Sequence, residues 1–189
     1  MPRLAVIIAS SRPGRLAGPV AEWFVSLARQ RDDFEIDVVD LAEVGLPFLD
    51  EPNHPRLRNY VHDHTKAWSS RVEAADAFVI VTPEYNFGMP AILKNALDFL
   101  HQEWAHKPVA FVSYGGISAG TRSVQMTKQV VTTLRMIPVT TAVSIPFVHQ
   151  SLDDSGRLVA NEVMTDTATA VLDELAALEQ ALRPLRAAA

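Results

Sequence analysis

Thr82-Pro83-Glu84-Tyr85-Asn86-Phe87-Gly88-Met89-Pro90 stands between two segments of different periodicity. Before it, Ala77-Phe78-Val79-Ile80-Val81 is a short unbroken apolar run rich in β-branched residues, the pattern of a strand buried on both faces. After it, residues 91–100 carry apolar side chains at 92, 93, 96, 97 and 100, which is helical spacing. Pro83 and Pro90 lack a backbone donor and restrict the residues before them, so the connection is stiff. Open α/β sheets bind their ligands in loops that leave strand ends in this way.

The alternation of strand and helix continues on both sides. Leu4-Ala5-Val6-Ile7-Ile8-Ala9 is a second buried-strand run, Ser10-Ser11-Arg12-Pro13-Gly14-Arg15 a loop, and Leu16, Val20, Trp23, Phe24 and Leu27 a helical face. Residues 34–39 alternate as a half-exposed strand near an edge. Residues 41–55, with three prolines, read as a long loop of functional type. Leu57, Val61, Trp68, Val72 and Ala75 mark a helix. Downstream, residues 108–113 form a strand that runs into Tyr114-Gly115-Gly116-Ile117-Ser118-Ala119-Gly120, and a helix follows through Val124, Val131 and Leu134. Residues 139–145 read as a fifth strand. The last helix carries Met164, Ala168, Val171, Leu175, Leu178, Leu182 and Leu185, a seam expected to pack on the sheet. Five strands alternating with helices predict a doubly wound, parallel α/β sheet. No repeat or linker divides residues 1–189, so one domain is expected; periodicity alone leaves both common strand orders open.

The composition narrows the function. A chain of 189 residues with 48% hydrophobic and 21% charged content suits a soluble domain with a sizeable core. Seventeen basic against 22 acidic residues give −5, which argues against a nucleic-acid surface. The absence of cysteine excludes disulfides, thiolate metal sites and thiol nucleophiles. No apolar run approaches a membrane span, and Met1-Pro2-Arg3 leads straight into a strand without a signal-peptide pattern, so a cytoplasmic protein is expected.

Six of the eight glycines (14, 18, 88, 115, 116 and 120) lie in or beside the loops after the first, third and fourth strands. Glycine commonly serves simple turns. In a sheet ordered 2-1-3-4-5, however, those three loops would meet beside the switch point between the first and third strands. The first of them suits an anion: backbone amides and a helix N-terminus, the hydroxyls of Ser10 and Ser11, and the guanidiniums of Arg12 and Arg15. It has neither the ending of a nucleoside-triphosphate loop nor the glycine spacing of a dinucleotide fingerprint, and a single terminal phosphate fits it better. The other two suit a flat polar ring, with Tyr85 and Asn86 at its edge, Tyr114 as an aromatic wall, and Gly115-Gly116 allowing close backbone approach.

Other polar residues point less clearly to chemistry. His62 and His64, two apart on an expected helix, would face different ways and make a poor metal pair. His101 and His106 suit surface roles. Glu84 has no evident partner for acid–base work, and Ser10 and Ser118 lack a readable histidine–carboxylate arrangement.

Together these residues resemble the NADPH-dependent FMN reductase family, flavodoxin-like flavoproteins that include quinone, azo-dye and chromate reductases. The similarity runs from Ile8 to about Pro138. It implies a three-layer sandwich with a five-stranded parallel sheet ordered 2-1-3-4-5. It assigns Ser10, Arg12 and Arg15 to the FMN phosphate, with Gly14 and Leu16 in the same loop. Pro83, Glu84, Tyr85, Asn86 and Phe87 would lie along the isoalloxazine, and Tyr114, Gly115, Gly116 and Ser118 near its pyrimidine end. Phe87-Gly88-Met89 departs from the His-Ser-Tyr or similar triplet of many relatives and makes the ring's surroundings more apolar. The resemblance implies hydride transfer from NADPH or NADH to FMN and on to a small acceptor: a flavin, quinone, azo compound or metal oxyanion. It requires no catalytic side chain and no metal. It also implies a homodimer or a dimer of dimers, with Leu93, Leu97, Phe99 and Leu100 offered to the contact or to the chain's own core. Residues 41–55 are expected to limit access to the ring. An electron-carrier flavodoxin is the alternative, although Arg12, Arg15 and the modest net charge fit it poorly; a serine hydrolase is a third reading.

Overall fold

A strand without a polar face is stable only between two helical layers, and the two most apolar runs of the chain take that position. The computed structural model describes residues 1–187; the last two residues of the expected domain lie outside the described residues. Its elements are β1 (Arg3–Ile8), α1 (Ala17–Ala28), β2 (Glu35–Asp40), α2 (Leu41–Val44), α3 (Asp63–Glu73), β3 (Ala77–Pro83), α4 (Ala91–Asp98), β4 (Pro108–Tyr114), α5 (Thr121–Thr133), β5 (Ile137–Pro138), β6 (Val143–Ile145) and α6 (Glu162–Ala187). The sheet is parallel and ordered β2-β1-β3-β4-β5, with β6 also on β4. This is the doubly wound order that the resemblance implies.

Successive residues of a strand face opposite layers, and the core divides accordingly. Leu4, Val6, Val79 and Val81 pack with Phe24 of α1 and with Val171 and Leu175 of α6. Ala5, Ile7, Phe78 and Ile80 pack with Trp68 of α3, Leu93 and Leu97 of α4, and Val131 of α5. Full burial of each large apolar side chain contributes about 1.5–3 kcal/mol, which is why the last helix lies on the sheet from Met164 to Leu175, whereas Leu178 of the expected seam is partly buried and Leu185 exposed.

Three sequence expectations are corrected. The fifth strand is split, because the amides of Thr140 and Thr141 donate to the Glu174 carboxylate of α6, at 2.8 and 3.0 Å, and leave the ladder. The helix expected from Leu57 starts only at Asp63. Glu51 accepts from the amides of Val61 and His62, at 2.9 and 3.1 Å, and holds that stretch non-helical with Leu57 and Val61 exposed. The long loop opens with the single turn of α2, capped by Asp40, whose carboxylate accepts from the Ala42 amide at 3.0 Å.

The register sets where the loops emerge. Ile8 pairs with Val81, and Pro83 pairs with Tyr114, so the chain leaves β1, β3 and β4 side by side at the carboxyl end of the sheet. Neighbouring strands lie about 4.8 Å apart, which brings three loops distant in sequence within reach of one ligand.

Candidate functional site

At that end of the sheet a cleft of about 220 Å³ is lined by Arg12, Arg15 and Leu16 from the loop after β1, by Pro83, Glu84 and Tyr85 from the loop after β3, and by Tyr114, Gly115 and Gly116 from β4 and its loop. Val148 and His149 complete the lining. The cleft lies beside the adjacent β1 and β3, whose connections run to opposite faces of the sheet.

The loop after β1 is rich in unpaired donors. Among the described residues, the amides of Ser11, Arg12, Gly14 and Leu16 meet no acceptor, and the Arg12 guanidinium makes no hydrogen bond or ion pair. Gly14 takes φ +69°, a left-handed conformation that permits the turn back to the Arg15 amide, which donates to the Arg12 carbonyl at 3.1 Å. Arg15 differs from Arg12. Its guanidinium grips the Asp40 carboxylate through two hydrogen bonds, one of 2.8 Å, and also donates to the Ser10 carbonyl. Asp40 in turn caps α2, so Arg15 ties the loop to the end of β2.

Ser10 is fully buried, and its hydroxyl is 2.7 Å from the Tyr85 hydroxyl, a bond that joins the loops after β1 and β3. Tyr114 lies beneath them and is 5% exposed. Burial, with the neighbouring Tyr85, raises its pKa, so the phenol stays protonated at neutral pH. The expected aromatic wall is therefore mostly a core residue with one edge in the cleft.

The loop after β3 is fixed by its glutamate. Glu84 accepts from Arg122 Nε at 2.7 Å, from the Arg122 amide at 3.1 Å and from Ser118 Oγ at 3.1 Å, while its side chain is only 8% exposed. Ser118 and Arg122 belong to the loop after β4 and to α5, so one carboxylate joins the second and third walls and also meets the N-terminus of a helix. Beyond it, Asn86 (φ +49°) and Phe87 (φ +69°) form a tight turn, closed by the Gly88 amide on the Tyr85 carbonyl at 3.0 Å. The Arg122 guanidinium carbon lies 3.6 Å from the centre of the Phe87 ring. In the third wall, a Cβ added to Gly116 would meet nothing within 4 Å, whereas one on Gly120 (φ +79°) would lie 2.8 Å from the Tyr114 carbonyl oxygen. Gly120 thus lets the loop fold back on β4, and Gly116 leaves its surface open.

Several site expectations change in detail. Ser10, Gly14, Asn86, Phe87 and Ser118 share the three loops but do not line the cleft. Ser10 and Ser118 bond to Tyr85 and Glu84, and neither has a histidine partner. Residues 41–55 contribute nothing to the lining: Leu49 and Pro47 are pinned to Asn95 of α4 by bonds of 3.0 and 2.7 Å. Leu93, Leu97, Phe99 and Leu100, offered to a subunit contact, are all buried in the chain's own core. His62 and His64 do not diverge. His62 precedes α3, the two rings stack with centroids 5.1 Å apart, and His64 Nε2 lies 3.0 Å from Asp50. Among the described residues no cluster of three or more histidine or acidic side chains could hold a metal. Val148 and His149 escaped the sequence reading because it followed glycines. Pro146 just after the last strand was the available signal, since the loop from there bonds through the Phe147 and Val148 amides to the carbonyls of Gly116 and Gly115.

Comparison with known proteins agrees with the fold. The family model for NADPH-dependent FMN reductase matches residues 2–150. An NAD(P)H-dependent FMN reductase of Schizosaccharomyces pombe is 42% identical over 149 residues, covering 77% of this chain and 74% of the relative. A 2-hydroxy-1,4-benzoquinone reductase of a Burkholderia species is 33% identical over 131 residues, 65% of this chain and 66% of the relative. Among solved structures, the flavoenzyme NAD(P)H:(acceptor) oxidoreductase FerB of Paracoccus denitrificans superposes with a TM-score of 0.76 at 20% identity, over 95% of this chain and 98% of that one, a likeness of fold. The chain belongs to the NADPH-dependent FMN reductase family, oxidoreductases whose cofactors are FMN and NAD(P)H.

Proposed function

We propose that FMN binds in the cleft at the carboxyl ends of β1, β3 and β4, and that the protein passes electrons from NADPH or NADH to a small acceptor: a flavin, quinone, azo compound or metal oxyanion. The observation that carries this reading is the convergence on one cleft of Arg12, which has no partner among the described residues, the loop of similarly unengaged amides that bears it, and an open glycine surface (Gly116). Those features match the two ends of a flavin mononucleotide, a dianionic phosphate and a flat ring. Bound FMN supplies the two-electron chemistry.

The residues of the chain hold and orient. Arg12 and Leu16 in the cleft wall, with the free amides of Ser11 and Gly14 beside them in the same loop, receive the phosphate, as a guanidinium fork and free N–H groups do for oxyanions generally. Gly115 and Gly116 let a ring lie against backbone. The Glu84 carboxylate, buried against Arg122 and Ser118, keeps the loop after β3 in place and is committed to that role, so no general base is assigned. Pro83, Asn86 and Phe87 border the ring's path from that same loop, and Ser118 supports it from the third.

The protein is further assigned to the cytoplasm as one flavin-binding domain over residues 1–189 that assembles as a homodimer or dimer of dimers. Exposed Phe48, Phe87 and Ile117 support the assembly. No helix among the described residues is long and apolar enough to cross a membrane.

A visible spectrum of the purified protein, followed by anaerobic titration with NADPH and NADH, tests the reading. Flavin absorbance, bleached directly by a nicotinamide and restored by a quinone, is expected. Absorbance that bleaches only with an added reductase would mark an electron carrier. Protein that stays colourless with added FMN would overturn the assignment.

A further inference from the structure

The amino ends of the strands carry a second cleft, about 480 Å³, enclosed by the C-termini of α3, α5 and α6 and the segment before β4. The seven residues of β4 separate it from the flavin cleft by about 20 Å. On a chain of net charge −5, its walls hold Arg56, Arg58, Lys107, Arg135 and Arg186 against Glu73 and Glu103.

Not all of that charge is spent. Arg58 pairs with Glu73 at 2.7 Å, and Arg186 with Glu179 and Asp76. The Glu103 carboxylate is buried and accepts from Tyr60 and Ser69, at 2.8 and 2.7 Å. Three cations have no carboxylate partner among the described residues: Arg56, Lys107 and Arg135. Buried Lys107 donates to the carbonyls of Val72 and Glu73 at 2.8 and 3.0 Å. Its pKa, lowered to about 8 by burial, leaves it largely charged at neutral pH.

The two arginines are held in an uncommon way. Arg56 Nε donates to His101 Nε2 at 3.1 Å, and Arg135 Nη2 lies 2.5 Å from His106 Nε2. A guanidinium has no lone pair to offer, so in each pair the ring nitrogen that faces it is the acceptor. Burial, with Arg56 and Arg135 both contributing, holds the His101 pKa down and keeps that ring neutral. Both guanidiniums therefore act on one ring from the same cleft. His101 Nδ1 is buried without a partner. A histidine accepts one N–H of each arginine and neutralises none of its charge, which leaves most of each five-donor fork free. Arg58, His106 and Arg135 also hold φ of +50°, +60° and +63°; the other non-glycine residues of positive φ, Asn86, Phe87, Ala119 and Phe147, sit in the loops about the first cleft. At Arg58 and Arg135 the left-handed backbone ends a helical turn, closed after α5 by the Met136 amide on the Val131 carbonyl at 3.0 Å.

We propose that this second cleft is a binding site for a small molecule carrying a phosphate monoester, clamped by the guanidiniums of Arg56 and Arg135 with Lys107 beneath. The lining sets five cations against the carboxylates of Glu73 and Glu103, with Asp76 and Glu179 behind Arg186, so the cleft keeps a positive excess, and the two guanidinium forks suit the oxygens of a phosphate. The volume leaves room for the group that bears the ester. The site is independent of the flavin reading.

Isothermal titration of FMN-saturated protein with inorganic phosphate, AMP and glucose 6-phosphate tests it, since FMN fills the phosphate loop at the other pole. One-to-one binding of at least one of the three is expected, tighter for the esters and weakened by sodium chloride. Which ester binds best separates a nucleotide from a sugar phosphate. The doubly substituted variant R56Q/R135Q, altered at two exposed positions, should weaken that binding by about tenfold or more. Nicotinamide bleaching of the flavin should stay at the wild-type rate, a readout that also reports whether the flavin assignment holds. No binding by any of the three at about ten millimolar, binding insensitive to salt, or equal binding by the variant would overturn the proposal.

Discussion

The loops after β1 and β3 face each other across the same cleft, yet they are built on opposite plans. The loop after β3 is satisfied by the protein itself: Glu84 takes three donors, and the turn beyond it closes on its own backbone. The loop after β1 is left incomplete: among the described residues Arg12 has no partner and four amides have no acceptor. The first is a finished wall, while the second presents exposed donors that can receive an anion. In the proposed reading the difference puts the phosphate end of the ligand on one side and the ring on the other. It also separates two arginines that look alike in sequence, because Arg15 already holds Asp40 as its counter-ion.

The comparison breaks most directly at those arginines. Arg12→Ala should weaken FMN by about 1.5–3 kcal/mol and leave riboflavin, which lacks the phosphate, nearly unchanged. In dissociation constants that is roughly 10- to 150-fold, measurable by fluorescence quenching. Arg15→Ala should cost both ligands alike, because it removes the tie between the loop and Asp40. Equal selectivity for phosphate at both positions would show that Arg15 leaves Asp40 when FMN binds.

The finished wall should respond differently. Glu84→Gln keeps the shape and removes the charge that Arg122 and Ser118 hold. Arg122 is part-exposed at 39%, so solvent screens the pair, and a loss of about 1–2 kcal/mol in denaturant unfolding is expected. FMN and riboflavin should weaken together, since the wall serves the ring. A loss confined to FMN would place Glu84 on the phosphate side and undo the division of labour.

How far the sequence told these plans apart follows from what each depends on. The strands were legible because Leu4 to Ala9 and Ala77 to Val81 have no polar face, and a chain that apolar has one place to go. The loops that meet were legible through their glycines and arginines. The partner of Arg15 was not, because Asp40 reaches it only through the β1–β2 register, and neither residue signals the other along the chain. The fifth strand misled for a similar reason: Val139 to Ile145 has strand composition, but Glu174 of α6 takes its middle amides. Leu57 and Val61 have helical spacing without burial, and spacing alone cannot report that Glu51 holds the backbone. In each case one carboxylate ten or more residues away decided the local structure.

The smallest effect concerns the tip of the finished wall. Asn86 and Phe87 both have positive φ with a closing bond from Gly88 to Tyr85, the arrangement of a type I′ turn, which favours glycine at its second central position. Phe87 is there instead, 70% exposed, its ring under Arg122. Two terms oppose each other: an aromatic residue in left-handed backbone is strained, while the cation–π contact returns about 0.5–1 kcal/mol at an exposed site. Phe87→Ala keeps the strain and loses the contact; Phe87→Gly loses both. The glycine variant should therefore be the more stable of the two by about 0.5–1 kcal/mol in urea unfolding, the left-handed penalty less the extra freedom of the unfolded glycine chain. Against the wild type, glycine should come out nearly even and alanine clearly lower. An alanine variant as stable as the glycine one would mean that the turn relaxes when the ring is removed, and that Arg122, through its hold on Glu84, does not fix the tip of the wall.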